Sequence, residues 1–459
     1  MTEVSAHSRA ARGPLHWSGV ALVALVGAVA LLLMHPGTAH AAPLATNATV
    51  ESADPSAITF KVRITSDADL ASATLNYKVL NPDNNVGGTL RAEVSGRTAD
   101  ASASLQVISN ERYIPVGNEI TYSWTITDKN GASTTTPEQK MTFLDGRYQW
   151  SSKEQGRVKV FWYGPNEPNA DAALKATVES IATNEALLKV SLGYPIRVVL
   201  WRNSADAKAA QRPRAATFDQ QVTTGGSRVA ADVLHIYDPL GNFVDVARHE
   251  AAHIVTKVAG DGGVSQIPSW LDEGTAVFAQ NSPGDYEVAV KQAIATDQVI
   301  RLRSMSAPTN NPNLVNVFYG QSWAVVKFMV DRYGKDKFAA VFKSVKDDGA
   351  PIDEALQKHL GVDQDGLMNA WRQSVGLKTI DYPPVPKGTS LGGQQATQVP
   401  LGIPKSVTSA ASTDGGGSGA AETGGVGGVS TTTAGIVGGI ALALAAALGF
   451  GALQLSRKR

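Results

Sequence analysis

His249-Glu250-Ala251-Ala252-His253 sets two imidazoles four residues apart, with a carboxylate beside the first. On an α-helix, residues i and i+4 stand one turn apart on the same face. Both rings can then share one zinc ion, and the neighbouring carboxylate can work on water held there. The flanking residues read as that helix. Val244, Ala247, Ala251, Val255 and Val258 recur at spacings of three and four and form one apolar stripe. At roughly 100° per residue the stripe lies opposite His249 and His253. The expected helix therefore packs one side into a core and offers the other to a cavity. Gly260, followed by Asp261-Gly262-Gly263, is its expected stop. An ordinary amphipathic helix with two histidines on its polar face has the same pattern, so a further ligand has to decide.

A catalytic zinc takes three protein ligands and keeps a fourth position open. The third is expected in Pro268-Ser269-Trp270-Leu271-Asp272-Glu273-Gly274-Thr275-Ala276. Pro268 suits the first turn of a second helix, from which Glu273 projects towards the first. On chemistry alone Asp272 competes with Glu273, because either carboxylate binds zinc. With both motifs in order, the chain resembles the gluzincin metallopeptidases, specifically the peptidase MA-like group. Their pattern is H-E-x-x-H, a short loop, then a helix carrying W-L-x-E-G-x-A, and residues 249–253 and 270–276 match it position by position. The likeness runs from near Arg157 to Leu377. It takes in Tyr319-Gly320-Gln321-Ser322-Trp323, the stretch Phe328-Met329-Val330-Asp331-Arg332-Tyr333-Gly334, and the late Trp371-Arg372.

The resemblance implies a Zn2+ cofactor held by His249, His253 and Glu273, with Glu250 as general base and a peptide or protein as substrate. It leaves Asp272 as a support for a ligand or as a solvated group. It also implies a donor for the oxyanion, placed after the third ligand. Tyr319, at the start of an expected helix, is the candidate, against the plainer reading of a buried core tyrosine. His235 lies in Val233-Leu234-His235-Ile236-Tyr237, an expected strand just before the ligand helix. In related folds an edge strand here aligns extended substrate, yet a histidine on a strand is more often structural. His359, in a later helix with no partner motif, reads as surface or core.

Lysine plus arginine equals aspartate plus glutamate, 41 each in 459 residues, so no global field favours nucleic acid. There are no cysteines, which excludes disulfides and cysteine-based zinc sites. Arg9 and Arg12 precede an apolar run from Gly19 to Met34, and Ala39-His40-Ala41 offers a small-x-small cleavage pattern. Residues 1–42 thus read as a signal peptide, or as an uncleaved signal anchor. Residues 434–455 are long and apolar enough for a transmembrane helix, and the basic 456–459 should stay cytoplasmic. The tail has the shape of a cell-wall sorting signal but no Leu-Pro-x-Thr-Gly motif precedes it. The expected location is a single-pass cell-membrane protein with its middle outside the cytoplasm.

Between these ends the chain changes character twice. Residues 45–148 alternate with period two, as in Ile58, Phe60, Val62 and Ile64, with breaks such as Asn81-Pro82-Asp83-Asn84-Asn85. They read as an all-β immunoglobulin-like sandwich, usable as spacer, adhesion unit or docking platform. Asn47-Ala48-Thr49 matches a glycosylation sequon, relevant only in a glycosylating pathway. Residues 155–378 read as an α+β peptidase domain: strands at 158–163, 196–201 and 231–237, a helix at 172–190, then a helical half. Residues 380–433, first Pro-rich and then Gly/Ser/Thr-rich, read as a flexible linker. Two other functions compete with the peptidase. One is a non-catalytic adhesion protein on a peptidase-like scaffold, against which the intact Glu250 argues. The other is a zinc hydrolase of non-peptide substrates. Bond preference and oligomeric state are not written in the sequence.

Overall fold

The computed structural model describes residues 41–384 and 403–404, apart from 84, 110–111, 213–221, 224, 238–240, 263–265 and 310. The expected membrane helix, its basic tail and all but the last two residues of the expected leader lie outside the described residues, as does most of the expected linker. Among the described residues, no helix is long and apolar enough to cross a membrane.

Among the described residues, eight strands make up the N-terminal β region. β1 (Leu44–Glu51), β2 (Ala57–Thr65) and β5 (Thr98–Gln106) form one antiparallel sheet in the order β1-β2-β5. β3 (Leu70–Leu80), β4 (Val86–Ala92), β6 (Glu119–Asp128) and β7 (Ser133–Thr135) form a second, in the order β4-β3-β6-β7, and β8 (Gln139–Thr142) also pairs with β6. Alternation does the work. On β2, Ile58, Phe60, Val62 and Ile64 are buried while Lys61 and Arg63 point to solvent. The two inner faces meet in one core, with the Phe60 and Tyr122 rings 4.9 Å apart and Trp124 fully buried.

The second sheet system is mixed. β9 (Trp150–Gln155), β10 (Val158–Tyr163), β11 (Ile196–Leu200), β13 (Gly226–Ala230) and β14 (Val233–Ile236) lie in the order β13-β14-β11-β10-β9. β10, β11 and β14 are parallel, and the two outer strands run antiparallel to their neighbours. Helix α1 (Glu167–Leu188) makes the crossover from β10 to β11. β11 is buried on every residue because both its faces are covered. Ile196, Val198 and Leu200 face the helices, while Val199 and the adjoining Trp201 share the core of the N-terminal sandwich. Tyr163, Val233 and Tyr237 join that second core.

The sandwich is therefore seated on the back of this sheet. At the seam Gly117 has φ +97°, and a Cβ there would lie 2.8 Å from Val199 Cγ2 and 3.0 Å from Val233 Cγ1. Arg197, buried on β11, pairs with Glu119 of the sandwich at 3.1 Å and with Asp232. His235 also faces the seam. Its Nε2–H donates to Val116 O at 2.7 Å, and its Nδ1 accepts from Trp201 Nε1–H at 3.3 Å. The strand carrying His235 is interior, not an edge; the edge on that side, among the described residues, is β13, which pairs antiparallel with β14 and lies before the expected strand at 231–237.

The helical half follows: α2 (Ser204–Lys208), α3 (Phe243–Gly260), α4 (Ser269–Phe278), α5 (Asp285–Ala295), α6 (Val315–Tyr333), α7 (Lys335–Asp347), α8 (Ile352–Leu360) and α9 (Gln364–Ser374). α4 lies against both α3 and α6. The short strand β12 (Val222–Thr223) pairs antiparallel with β15 (Ile403–Pro404), a dipeptide inside the expected linker.

Candidate metal centre

α3 runs from Phe243 to Gly260, so the expected stop is the last helical residue. Ala247, Ala251 and Val255 are fully buried in the helical core, as their stripe required. The opposite side is buried too, since His249, Glu250 and His253 are almost entirely covered. α4 starts one residue after Pro268, which sits at the cap in extended conformation rather than inside the first turn. Gly274 lets this helix lie close to α6: a Cβ there would stand 2.3 Å from the backbone oxygen of Ser322. That approach carries Glu273 to the face of α3.

Three ligand atoms converge. His249 Nε2 and His253 Nε2 are 3.1 Å apart, and Glu273 Oε2 lies 3.5 Å from the first and 3.3 Å from the second. A tetrahedral zinc with bonds of about 2.0–2.1 Å has ligand atoms roughly 3.3 Å apart. The donor set thus fits a zinc ion in spacing and in chemistry. Glu273 Oε2 is also buried without a hydrogen-bond partner, which costs free energy unless a cation answers it. Among the described residues, His249, His253 and Glu273 are the group of three placed to hold a metal.

Asp272 takes the other side of His253. Its Oδ1 accepts from His253 Nδ1–H at 2.9 Å and from the Thr256 hydroxyl, and its Oδ2 lies 3.3 Å from Lys257 Nζ. One residue of helix rotation separates the two carboxylates, and it directs them to opposite nitrogens of one ring. His249 Nδ1 meets the side-chain amide of Gln280 at 2.8 Å.

Glu250 is held by one oxygen. Its Oε2 accepts from the backbone N–H of Arg228 on the edge strand β13 at 3.0 Å, and its Oε1 has no partner. Burial pushes its pKa up to about 8, opposed by the His253 charge. Burial works against protonation of His253, but the Asp272 and Glu273 carboxylates outweigh it and raise the ring to about 10. His249 is lowered, chiefly by burial. Tyr319 stands on α6 with its ring 6.3 Å from that of His249 and its hydroxyl buried without a partner. Burial, then the Glu273 charge, raises its pKa far above the ordinary value, so it stays a protonated donor. Tyr286 of α5 lies 5.0 Å from the Tyr319 ring and is raised by the same causes.

His235 lies on the sandwich side of the sheet and takes no part in this cluster. His359 shares a hydrogen bond of 2.8 Å with the Ser344 hydroxyl. Gln280, Tyr286 and the Arg228 amide carry no sequence signal. The first sits in the turn after α4, the second on a different helix, and the third acts through its backbone.

Comparison with known proteins bears on this half of the chain. Residues 176–376 match the Peptidase MA superfamily. This segment is peptidase MA-like, as its motifs led one to expect, and the chain is an N-terminal β region followed by a helical peptidase-like domain. No curated protein matches the chain. Among solved structures, the third fibronectin III domain of human KIAA0343 protein aligns at 14% identity and TM-score 0.18, over 26% of this chain and 89% of that one. A carbohydrate-binding module family 56 β-1,3-glucan-binding domain aligns at 16% identity and TM-score 0.14, over 22% of this chain and 99% of that one. At such scores neither carries an argument about this chain.

Proposed function

We propose that the peptidase MA-like domain is a zinc-dependent metallopeptidase of gluzincin type, with His249, His253 and Glu273 as its zinc ligands. The convergence of Nε2, Nε2 and Oε2 at tetrahedral spacing carries this reading. When bound, zinc supplies Lewis-acid chemistry, acidifying water and polarising a carbonyl. The chain's own groups do the rest. Glu250, fixed through Oε2 by the Arg228 amide, has Oε1 free to take a proton from water and pass it to the leaving amine. Tyr319 donates its hydroxyl proton in a hydrogen bond to the developing oxyanion. β13 has no strand on its outer side among the described residues, so an extended peptide can pair there, which favours a peptide over other substrates.

The proposal extends to location. The apolar stretch 434–455 followed by Arg457, Lys458 and Arg459 supports a membrane anchor with the catalytic domain on the outer side. The partners are then protein or peptide substrates at that surface.

Cleavage of a peptide library by the full chain tests the reaction, with Glu250→Gln alongside. The wild type should cleave, chelation should stop it, and Glu250→Gln should keep its zinc while losing turnover by about 100-fold or more. Bound zinc without cleavage by the wild type would favour a scaffold; turnover of non-peptide substrates alone would overturn the peptidase reading.

A further inference from the structure

We propose that Gln280 is a positioning residue for the metal ligand His249, accepting a hydrogen bond from His249 Nδ1–H through Oε1. The inference rests on the zinc reading of the site and goes beyond it. The Gln280 amide nitrogen lies 2.8 Å from His249 Nδ1, while its Oε1 is buried with no partner. An N–H facing Nδ1 needs a lone pair there, which would place the ring proton on Nε2. That nitrogen faces His253 Nε2 and Glu273 Oε2, where a metal ligand must carry no proton. Turning the amide by 180° exchanges oxygen and nitrogen with almost no change of shape. The orphaned Oε1 then meets Nδ1–H, and the ring takes the tautomer with Nε2 free for the metal.

The backbone around Gln280 is built for this contact. Its N–H bonds to Val277 O at 3.2 Å, closing the end of α4. The next residue, Asn281, donates its N–H to Asp245 Oδ1 at 2.7 Å. Asp245 lies on α3 one turn before His249, so the turn is fastened to the helix that carries the ligand. The two histidines are thus oriented differently: His253 by a carboxylate, His249 by a neutral amide oxygen. Such outer partners fix the ring and raise its basicity towards the metal.

Zinc affinity of the full chain, measured by competition with a chelating dye, tests this directly. Gln280→Leu removes the acceptor at similar volume and should weaken zinc binding by about 10- to 100-fold. Gln280→Glu keeps the shape and makes the acceptor obligatory, and should bind at least as tightly as the wild type. Thermal unfolding of the metal-free variants provides the second readout. A merely structural Gln280 would lower metal-free stability in both variants and leave zinc affinity unmoved, which overturns the inference. Equal weakening by Leu and Glu overturns it too. A wild type that binds no zinc removes the zinc reading itself, and this inference with it.

Discussion

Tyr319 shows how a single side chain can be visible in the sequence while its use is not. The residue stands in a stretch that resembles the peptidase MA-like group, but an aromatic on a helix is equally at home in a core. The fold buries its hydroxyl without a partner and sets its ring 6.3 Å from that of His249. An unanswered buried hydroxyl costs about 1–3 kcal/mol, which a core tyrosine would avoid. Tyr319→Phe should therefore leave zinc content and thermal stability at or above wild type while lowering kcat about 100-fold, as read from steady-state kinetics. Unchanged kcat would return it to the core. The choice between Asp272 and Glu273 was open for a related reason. Neighbouring carboxylates have the same chemistry, and only their angular positions on α4 send one to His253 Nδ1 and the other to the paired Nε2 atoms.

At the scale of elements, α4 joins sequence motif and geometry most closely. A glycine inside a helix ordinarily costs about 1 kcal/mol relative to alanine, so replacing it should help. At Gly274 the sign reverses, because the added Cβ would stand 2.3 Å from Ser322 O, a backbone atom with little room to move. Gly274→Ala should destabilise by about 1–3 kcal/mol through overpacking and, by shifting the turn that carries Glu273, weaken zinc binding. A melting temperature at or above wild type would contradict this packing. The strength of an element's own pattern decided how well it could be read. α3 was legible because its apolar stripe keeps helical spacing, and β2, β3, β5 and β6 because they alternate. β4, Val86-Gly87-Gly88-Thr89-Leu90-Arg91-Ala92, is largely exposed and carries two glycines, so no alternation marks it. β9 is mostly exposed and polar, and β13, Gly226-Ser227-Arg228-Val229-Ala230, carries a glycine, a serine and an arginine in place of an apolar alternation.

For the molecule as one body, the main difference from sequence is the seat of the β-sandwich. Composition offered spacer, adhesion unit or docking platform, since the partner of an apolar strand face is not encoded in that strand. The fold covers the back of the peptidase-like domain's sheet with it, and so β11 is buried on both faces. His235 reports on this seam. Burial lowers its pKa from 6.5 to about 4. Between those values the unfolded chain holds more proton on this residue than the folded one. Its contribution is therefore complete above about pH 6.5 and is lost as pH falls towards 4, on the order of 3 kcal/mol. Urea unfolding at several pH values should show that decline, and His235→Gln should flatten it; an identical slope in the variant would place the acid sensitivity elsewhere. Yet the peptidase reading turns on whether α3 and α4 together hold one ion. Elemental analysis of the purified full chain, beside Glu273→Gln, should find one zinc per wild-type chain and strongly reduced occupancy in the variant. A wild type that stays free of zinc in its excess, or a Glu273→Gln chain that retains it unchanged, would contradict the three-ligand centre.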